Sequence, residues 1–222
     1  MLGPMLHVLL ATATLCLASP VAACDTALLL AVDVSGSIDQ QEYLLETGGL
    51  ADAIQSPEIA AALVEGQVAL SLMHWSGVGH QRLALPWQRM MTSADVIAFA
   101  GALRAIPRPN EYSDTAIAEA ILFSIKQFAA VPDCRQSVID VSGDGRENAT
   151  NGLPDARVKV ATDGITVNAI AIESDDLTTA LSDYFRQRVI TPGGFVVTAK
   201  GVPDFPRAIR EKLLRELTKP VS

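Results

Sequence analysis

Three oxygen-bearing side chains at alternate positions, Asp33, Ser35 and Ser37, follow directly on the largely apolar run Thr26–Val32. Two later stretches offer the same kind of donor: Ser113-Asp114-Thr115 and Ser142-Gly143-Asp144-Gly145. Carboxylates and hydroxyls with no thiol or imidazole among them suit magnesium, calcium or manganese rather than zinc or copper. In a tight turn after a strand, Asp33, Ser35 and Ser37 can face one concavity while Val34 packs outward, and Gly36 lets the backbone bend without a Cβ clash. Two neutral hydroxyls leave much of an ion's charge uncancelled, so such an ion would seek an anionic oxygen from outside. The plainer reading of the same residues is turn and helix-cap chemistry, which Asp and Ser serve widely. For Thr115 that reading is a first-turn helix residue, and for Asp144 a Gly-Asp-Gly turn.

These loops need strands to hold them. Thr26–Val32 reads as a strand buried on both faces. Val68–Trp75, Arg82–Trp87, Ser137–Val141, Thr166–Ile172 and Phe195–Thr198 read as five more, with a tight turn at Ser76–His80 joining the second to the third. Helices are expected over Gln41–Ile54 with Asp39 as N-cap, Pro57–Val64, Ala94–Arg104 capped by Ser93, and Thr115–Ala129. Three more follow, at Pro154–Thr162, Leu177–Arg186 and Phe205–Leu217. Strands separated by helices imply an α/β fold: a doubly wound, mostly parallel six-stranded sheet with helices on both faces and one antiparallel edge strand. In such sheets ligands bind beyond the carboxyl ends of the strands, where strand order reverses. All three oxygen-rich loops leave or approach that edge.

Composition narrows the partners. The chain has 222 residues, 49% hydrophobic and 19% charged, with a formal net charge of −8; one folded domain is expected and disorder is excluded. Clustered Lys and Arg for nucleic acid or anionic lipid are missing. Residues 1–23 carry no charged side chain and end Val21-Ala22-Ala23, a signal-peptide pattern that sends the remainder, 24–222, out of the cytoplasm as a periplasmic or secreted domain. The same residues with Cys24 match a lipoprotein cleavage box, leaving acylation of Cys24 open. No segment is long and apolar enough to span a membrane. Cys24 stands nine residues before Asp33 and Cys134 ten before Asp144. If the first and fourth strands are neighbours, the two cysteines meet at the opposite end of the sheet, and a disulfide is expected.

Asp33-Val34-Ser35-Gly36-Ser37, a distant threonine and a later Asp-Gly resemble the metal-ion-dependent adhesion site of von Willebrand factor type A domains, over Asp25 to the C-terminus. More narrowly, Leu30–Asp39, Val138–Gly145, Gly164–Ile172 and Tyr184–Thr198 resemble an uncharacterised group of secreted bacterial proteins in that superfamily. The resemblance implies that Ser35 and Ser37 coordinate directly, Asp33 and Thr115 directly or through water, and Asp144 mainly through water. It also implies magnesium as the ion, with calcium or manganese as alternatives, and a protein partner that offers an Asp or Glu carboxylate. Two departures stand out: Ser113 replaces the usual glycine two residues before the threonine, and Asp114 adds a carboxylate. An alternative function, metal-assisted hydrolysis of a phosphate ester, would want a second carboxylate beside the first, where this chain has serines. A serine hydrolase is disfavoured: there is no G-x-S-x-G, and after residue 23 only His74 and His80 are available as a base. His74 and Trp75 read as core residues before rim residues. Asn148-Ala149-Thr150 matches a glycosylation acceptor only weakly.

Overall fold

The computed structural model describes residues 24–109, 114–173 and 180–218. The expected leader (residues 1–23), Ser113 and the start of the helix expected from Leu177 lie outside these residues. Six strands form one sheet: β1 (Thr26–Asp33), β2 (Ala69–Trp75), β3 (Gln81–Arg89), β4 (Gln136–Gly143), β5 (Thr166–Glu173) and β6 (Val196–Lys200). Their order is β3-β2-β1-β4-β5-β6. All neighbours are parallel except β2 and β3, so β3 is the antiparallel edge strand expected from the short Ser76–His80 link. Pro86 lies in β3, where a missing N–H is tolerated.

Every residue of β1 is buried because helices cover both faces of the sheet. One face packs Leu28, Leu30 and Val32 under α1 (Gln40–Gln55), α2 (Pro57–Glu65), α3 (Ser93–Ala105) and α7 (Phe205–Leu217). The other packs Ala27, Leu29 and Ala31 under α4 (Ile117–Gln127), α5 (Leu153–Thr162) and α6 (Leu181–Arg188). The two-residue alternation of β1 thus feeds two cores from one strand.

Asp39 caps α1 in a reciprocal capping box: its carboxylate accepts from Glu42 N at 2.8 Å, and the Glu42 carboxylate accepts from Asp39 N at 2.8 Å. Some boundaries differ from expectation. Thr92, not Ser93, caps α3, because Thr92 N donates to the Asp95 carboxylate at 2.8 Å and its hydroxyl accepts from Asp95 N. The helix expected from Thr115 begins at Ile117, since Thr115 N donates to the side chain of Asn148 at 2.8 Å and is held outside the helix. β4 continues through Gly143, making Ser142 and Gly143 strand residues.

Cys24 and Cys134 form a disulfide across a separation of 110 residues. By loop entropy such a bridge contributes ~4–5 kcal/mol. It engages the Cys24 sulfur that a lipid thioether would need. Arg135 N donates to Cys24 O at 2.8 Å beside it, so the amino edge of the sheet is closed covalently and by hydrogen bonds.

Candidate metal centre

β1 and β4 lie side by side at the middle of the sheet, but the chain leaves them toward opposite sides, β1 leading to β2 and β4 to β5. That reversal opens a crevice at their carboxyl ends. The register sets Val32 against Ser142, so Asp33 emerges level with Gly143. The lack of a side chain there matters: a β-carbon on Gly143 would sit 3.0 Å from Asp33 Oδ2 and 3.3 Å from the Trp75 ring. A β-carbon on Gly145 would likewise sit 3.2 Å from Thr115 Oγ1. The two glycines flanking Asp144 therefore admit the two partner loops.

The structure brings Asp33, Ser35, Ser37, Thr115 and Asp144, from all three loops, to this edge. Asp33 Oδ1 accepts from Ser35 N at 2.8 Å. The Ser35 and Ser37 hydroxyl oxygens are 3.3 Å apart, and Ser37 Oγ donates to Asp144 Oδ1 at 2.6 Å. Thr115 is buried, and the N–H of the next residue, Ala116, donates to Ser76 O at 2.9 Å, tying this loop to the end of β2. Gly36 and Ser37 are exposed, so the cluster has an open side. Asp114 is exposed too.

Asp33 is wholly buried and its Oδ2 has no hydrogen-bond partner. A bare carboxylate oxygen in that position is costly. Burial pushes the Asp33 carboxyl up to about 7, against the pull of its hydrogen bonds from Ser35; the Asp144 charge adds to the rise and Arg108 opposes it. Burial also raises Asp144, with the Ser37 hydrogen bond opposing. A divalent cation would resolve both. Among the described residues no group of three or more His, Cys, Asp or Glu side chains is placed to hold a metal. The donor set here is two carboxylates and three hydroxyls, which is hard oxygen chemistry.

Four supporting residues escaped the sequence reading. Arg108 Nη2 donates to Val34 O and Ser35 O, both at 3.2 Å, pinning the first loop. Asn148 orients Thr115 through its side chain, and the Glu147 carboxylate accepts from Ala118 N at 2.8 Å and Thr150 N at 2.8 Å, fixing the third loop to α4. Glu46 lies on α1, 1% exposed, with neither carboxylate oxygen hydrogen-bonded. Burial first, and then the charges of Asp33 and Asp144, push its carboxyl well above the usual range. Spacing carried a signal for Glu46: Tyr43, Thr47, Leu50 and Ile54 define the inward stripe of α1, and Glu46 falls on it.

His74 belongs to the core rather than the rim. Its Nε2 lies 3.0 Å from the Tyr43 hydroxyl, which donates to Ile106 O, while Arg82 approaches Nδ1 at 3.4 Å. Burial, assisted by Arg82, pushes its imidazole down to about 4. Trp75 is buried beside it, donating Nε1–H to Ala31 O at 3.1 Å, and His80 is exposed.

The sheet order and the helices on both faces make this a von Willebrand factor type A-like fold. The chain belongs to the family described as "Protein of unknown function (DUF1194)", which matches residues 23–221. Among solved structures, the fold is similar to proximal thread matrix protein 1 of the mussel byssus with a zinc-occupied MIDAS motif. The TM-score there is 0.65 at 17% identity, covering 88% of this chain and 48% of that one. It is also similar to a von Willebrand factor type A protein from Catenulispora acidiphila, with TM-score 0.64 and 14% identity over 89% of this chain and 44% of that one. A third, the conserved hypothetical protein BatB from Bacteroides thetaiotaomicron, has TM-score 0.60 and 19% identity over 88% of this chain and 100% of that one. This chain thus spans about half the length of the first two. No curated protein is similar enough in sequence to match. At these identities the likeness is one of fold.

Proposed function

We propose that this chain is an exported, metal-dependent protein-binding module of the adhesion type. Asp33, Ser35, Ser37, Thr115 and Asp144 would hold one divalent cation, magnesium first, with calcium or manganese as alternatives. The observation that carries the reading is Asp33 Oδ2, a wholly buried carboxylate oxygen without a partner, on a side chain whose other oxygen accepts from Ser35 N in the loop that carries the Ser35 and Ser37 hydroxyls. Five side chains, some acting through water, leave a coordination position of magnesium's six for a ligand from outside. Neutral hydroxyls leave charge on the ion, which favours an Asp or Glu carboxylate on the partner. A similar structure whose MIDAS motif holds zinc supports a divalent ion in this fold. Export is supported by the uncharged first 23 residues and by the Cys24–Cys134 disulfide, which suits an oxidising compartment. Among the described residues, no helix is long and apolar enough to cross a membrane.

The hydrolase alternative gains nothing from Glu46. A catalytic carboxylate must reach the substrate, and Glu46, on the inward face of α1, is 1% exposed. The test is capture of partners from the exported fraction of cells by immobilised protein, with magnesium or with chelator. Retention that chelator and Asp33→Ala both abolish is expected, followed by loss of binding when one interface carboxylate of the partner is replaced. Retention indifferent to chelator contradicts the reading. Metal-dependent turnover of a phosphate ester, lost in Asp33→Ala, would replace it with the hydrolase.

A further inference from the structure

A groove of about 800 Å³ runs between α5 and α6, and none of the residues proposed to hold the ion lines it. Both helices follow parallel strands, so both run from the carboxyl edge of the sheet toward its amino edge. The head of the groove is formed by Arg146, Glu147 and Thr150, in the loop that carries Asp144. Arg146 is two residues from Asp144, which confines their Cα atoms to within about 7 Å. The groove therefore begins at the rim of the proposed metal centre.

Its lining has two characters. Leu153, Val158 and Ala161 on α5 give an apolar wall, and Val158 is 66% exposed, the most exposed large hydrophobic side chain among the described residues. Arg146, Arg157 and Arg188 give positive charge, on a chain whose formal net charge is −8. Of the two acidic side chains of the lining, Asp183 pairs with Arg186 at 2.7 Å, while Glu147 accepts from the backbone of Ala118 and Thr150 and keeps its charge at the head of the groove. Arg157 donates to the carbonyls of Ile190 (2.6 Å) and Gln187 (3.2 Å), which hold its head in place without neutralising it. Arg146 lies over the Tyr184 ring at 5.4 Å, and Arg188 is exposed. The groove thus joins an apolar wall to an excess of positive charge, three arginines against Glu147 and Asp183.

We propose that this groove binds an extended acidic and apolar segment of the partner, continuing from the carboxylate that meets the ion. A ten-residue α5 is about 15 Å long, and an extended chain rises about 3.3 Å per residue, so the groove holds four or five residues. Apolar side chains of the segment lie on Val158 and Ala161, and its carboxylates face Arg157 and Arg188. The inference rests on the metal-centre reading for the first carboxylate only; the groove itself stands on its own lining.

The test uses the full chain after leader removal, in magnesium, to select from a displayed library of random heptapeptides. The winning peptides are then measured by fluorescence anisotropy. Enrichment of peptides that combine acidic and apolar residues is expected. Arg188→Glu and Val158→Asp, both at exposed positions, should each weaken the winning peptide about tenfold and leave the magnesium titration of the protein unchanged. Lys126→Glu, on exposed α4 surface, should stay within about twofold. Binding lost with chelator but indifferent to both groove substitutions overturns the groove and leaves the metal reading standing. Binding weakened by the groove substitutions but indifferent to chelator keeps the groove and removes the metal from it. No enriched peptide, or winners without acidic residues, overturns the proposal. So does a dimer in sedimentation that Arg188→Glu dissociates, because the occupant would then be a second copy of this chain.

Discussion

The interior buries carboxylates in two places and treats them differently. Under α7, Lys212 Nζ lies 2.5 Å from Asp140 Oδ1 and 2.6 Å from Glu216 Oε1, with Lys212 wholly buried. Asn168 adds a hydrogen bond to Glu216 at 2.7 Å and accepts one from Phe195 N at 3.0 Å. Burial still pushes Asp140 up to about 7, but the ammonium pulls against it. At the carboxyl edge of the sheet, Asp33 is as deeply buried and has no ion pair among the described residues. Under α7 the chain supplies its own cation to the buried carboxylates. At the carboxyl edge the nearby cation, Arg108, donates to the carbonyls of Val34 and Ser35 and makes no ion pair with Asp33 among the described residues, and this asymmetry supports the proposal that the second place takes an ion from outside.

Removing the resident cation should have the largest effect. Lys212→Met strands two buried carboxylates, and a loss of ~3–5 kcal/mol in chemical denaturation is expected; replacing Asp140 by Leu and Glu216 by Met in the same chain should recover much of it. A loss below ~1 kcal/mol in the single variant would mean that the carboxylates are not sealed, and the contrast would fail.

Supplying the missing cation comes next. Magnesium at a hundredfold excess over its dissociation constant should add ~2.7 kcal/mol to the wild-type protein, seen as a raised melting temperature that chelator reverses. The protein with Asp33→Asn should show no such gain.

The metal-free Asp33→Asn variant tests the same contrast through pH. The folded protein holds the Asp33 proton to about 7, far above the ordinary 3.8, so the folded state binds more protons than the unfolded chain between those values. Stability therefore falls as pH rises through that window, and the full penalty is present above it. Asp140 titrates in the same window, so the informative quantity is wild type minus variant. Without metal, Asp33→Asn should be more stable by ~1–3 kcal/mol at pH 8 and equal near pH 3. Equal stability at both pH values would show that Asp33 is not strained by burial.

The smallest effect isolates burial from charge. Arg210 pairs with Glu58 on exposed surface, with 48% and 65% of the side chains accessible. Arg210→Ala should change stability by less than ~1 kcal/mol in the same denaturation measurement.

Much of this architecture was readable before folding. The seven-residue run before Asp33, the Asp39–Glu42 cap and the spacing of Cys24 and Cys134 from their strands each point to the observed element or bond. The candidate donors Asp33, Ser35, Ser37, Thr115 and Asp144 were readable as residue types in loops at the sheet's carboxyl edge. What escaped depends on contacts distant in sequence. Lys212 sits on the inward stripe of α7 with Ala208, Ile209 and Leu213, yet a lysine there reads as surface until Asp140, from β4, is brought beneath it. Glu46 is the same case without a partner. The Thr92 cap was missed by one residue because Thr92 and Ser93 are equivalent in chemistry and differ only in which reaches Asp95.

The most direct test of the central claim is calorimetric titration of magnesium into the leader-free protein at pH 8, beside Asp33→Asn. One magnesium per wild-type chain is expected, and none in the variant despite an intact fold and disulfide. Equal binding to both, or none to either with calcium and manganese also silent, would contradict a metal centre built on Asp33.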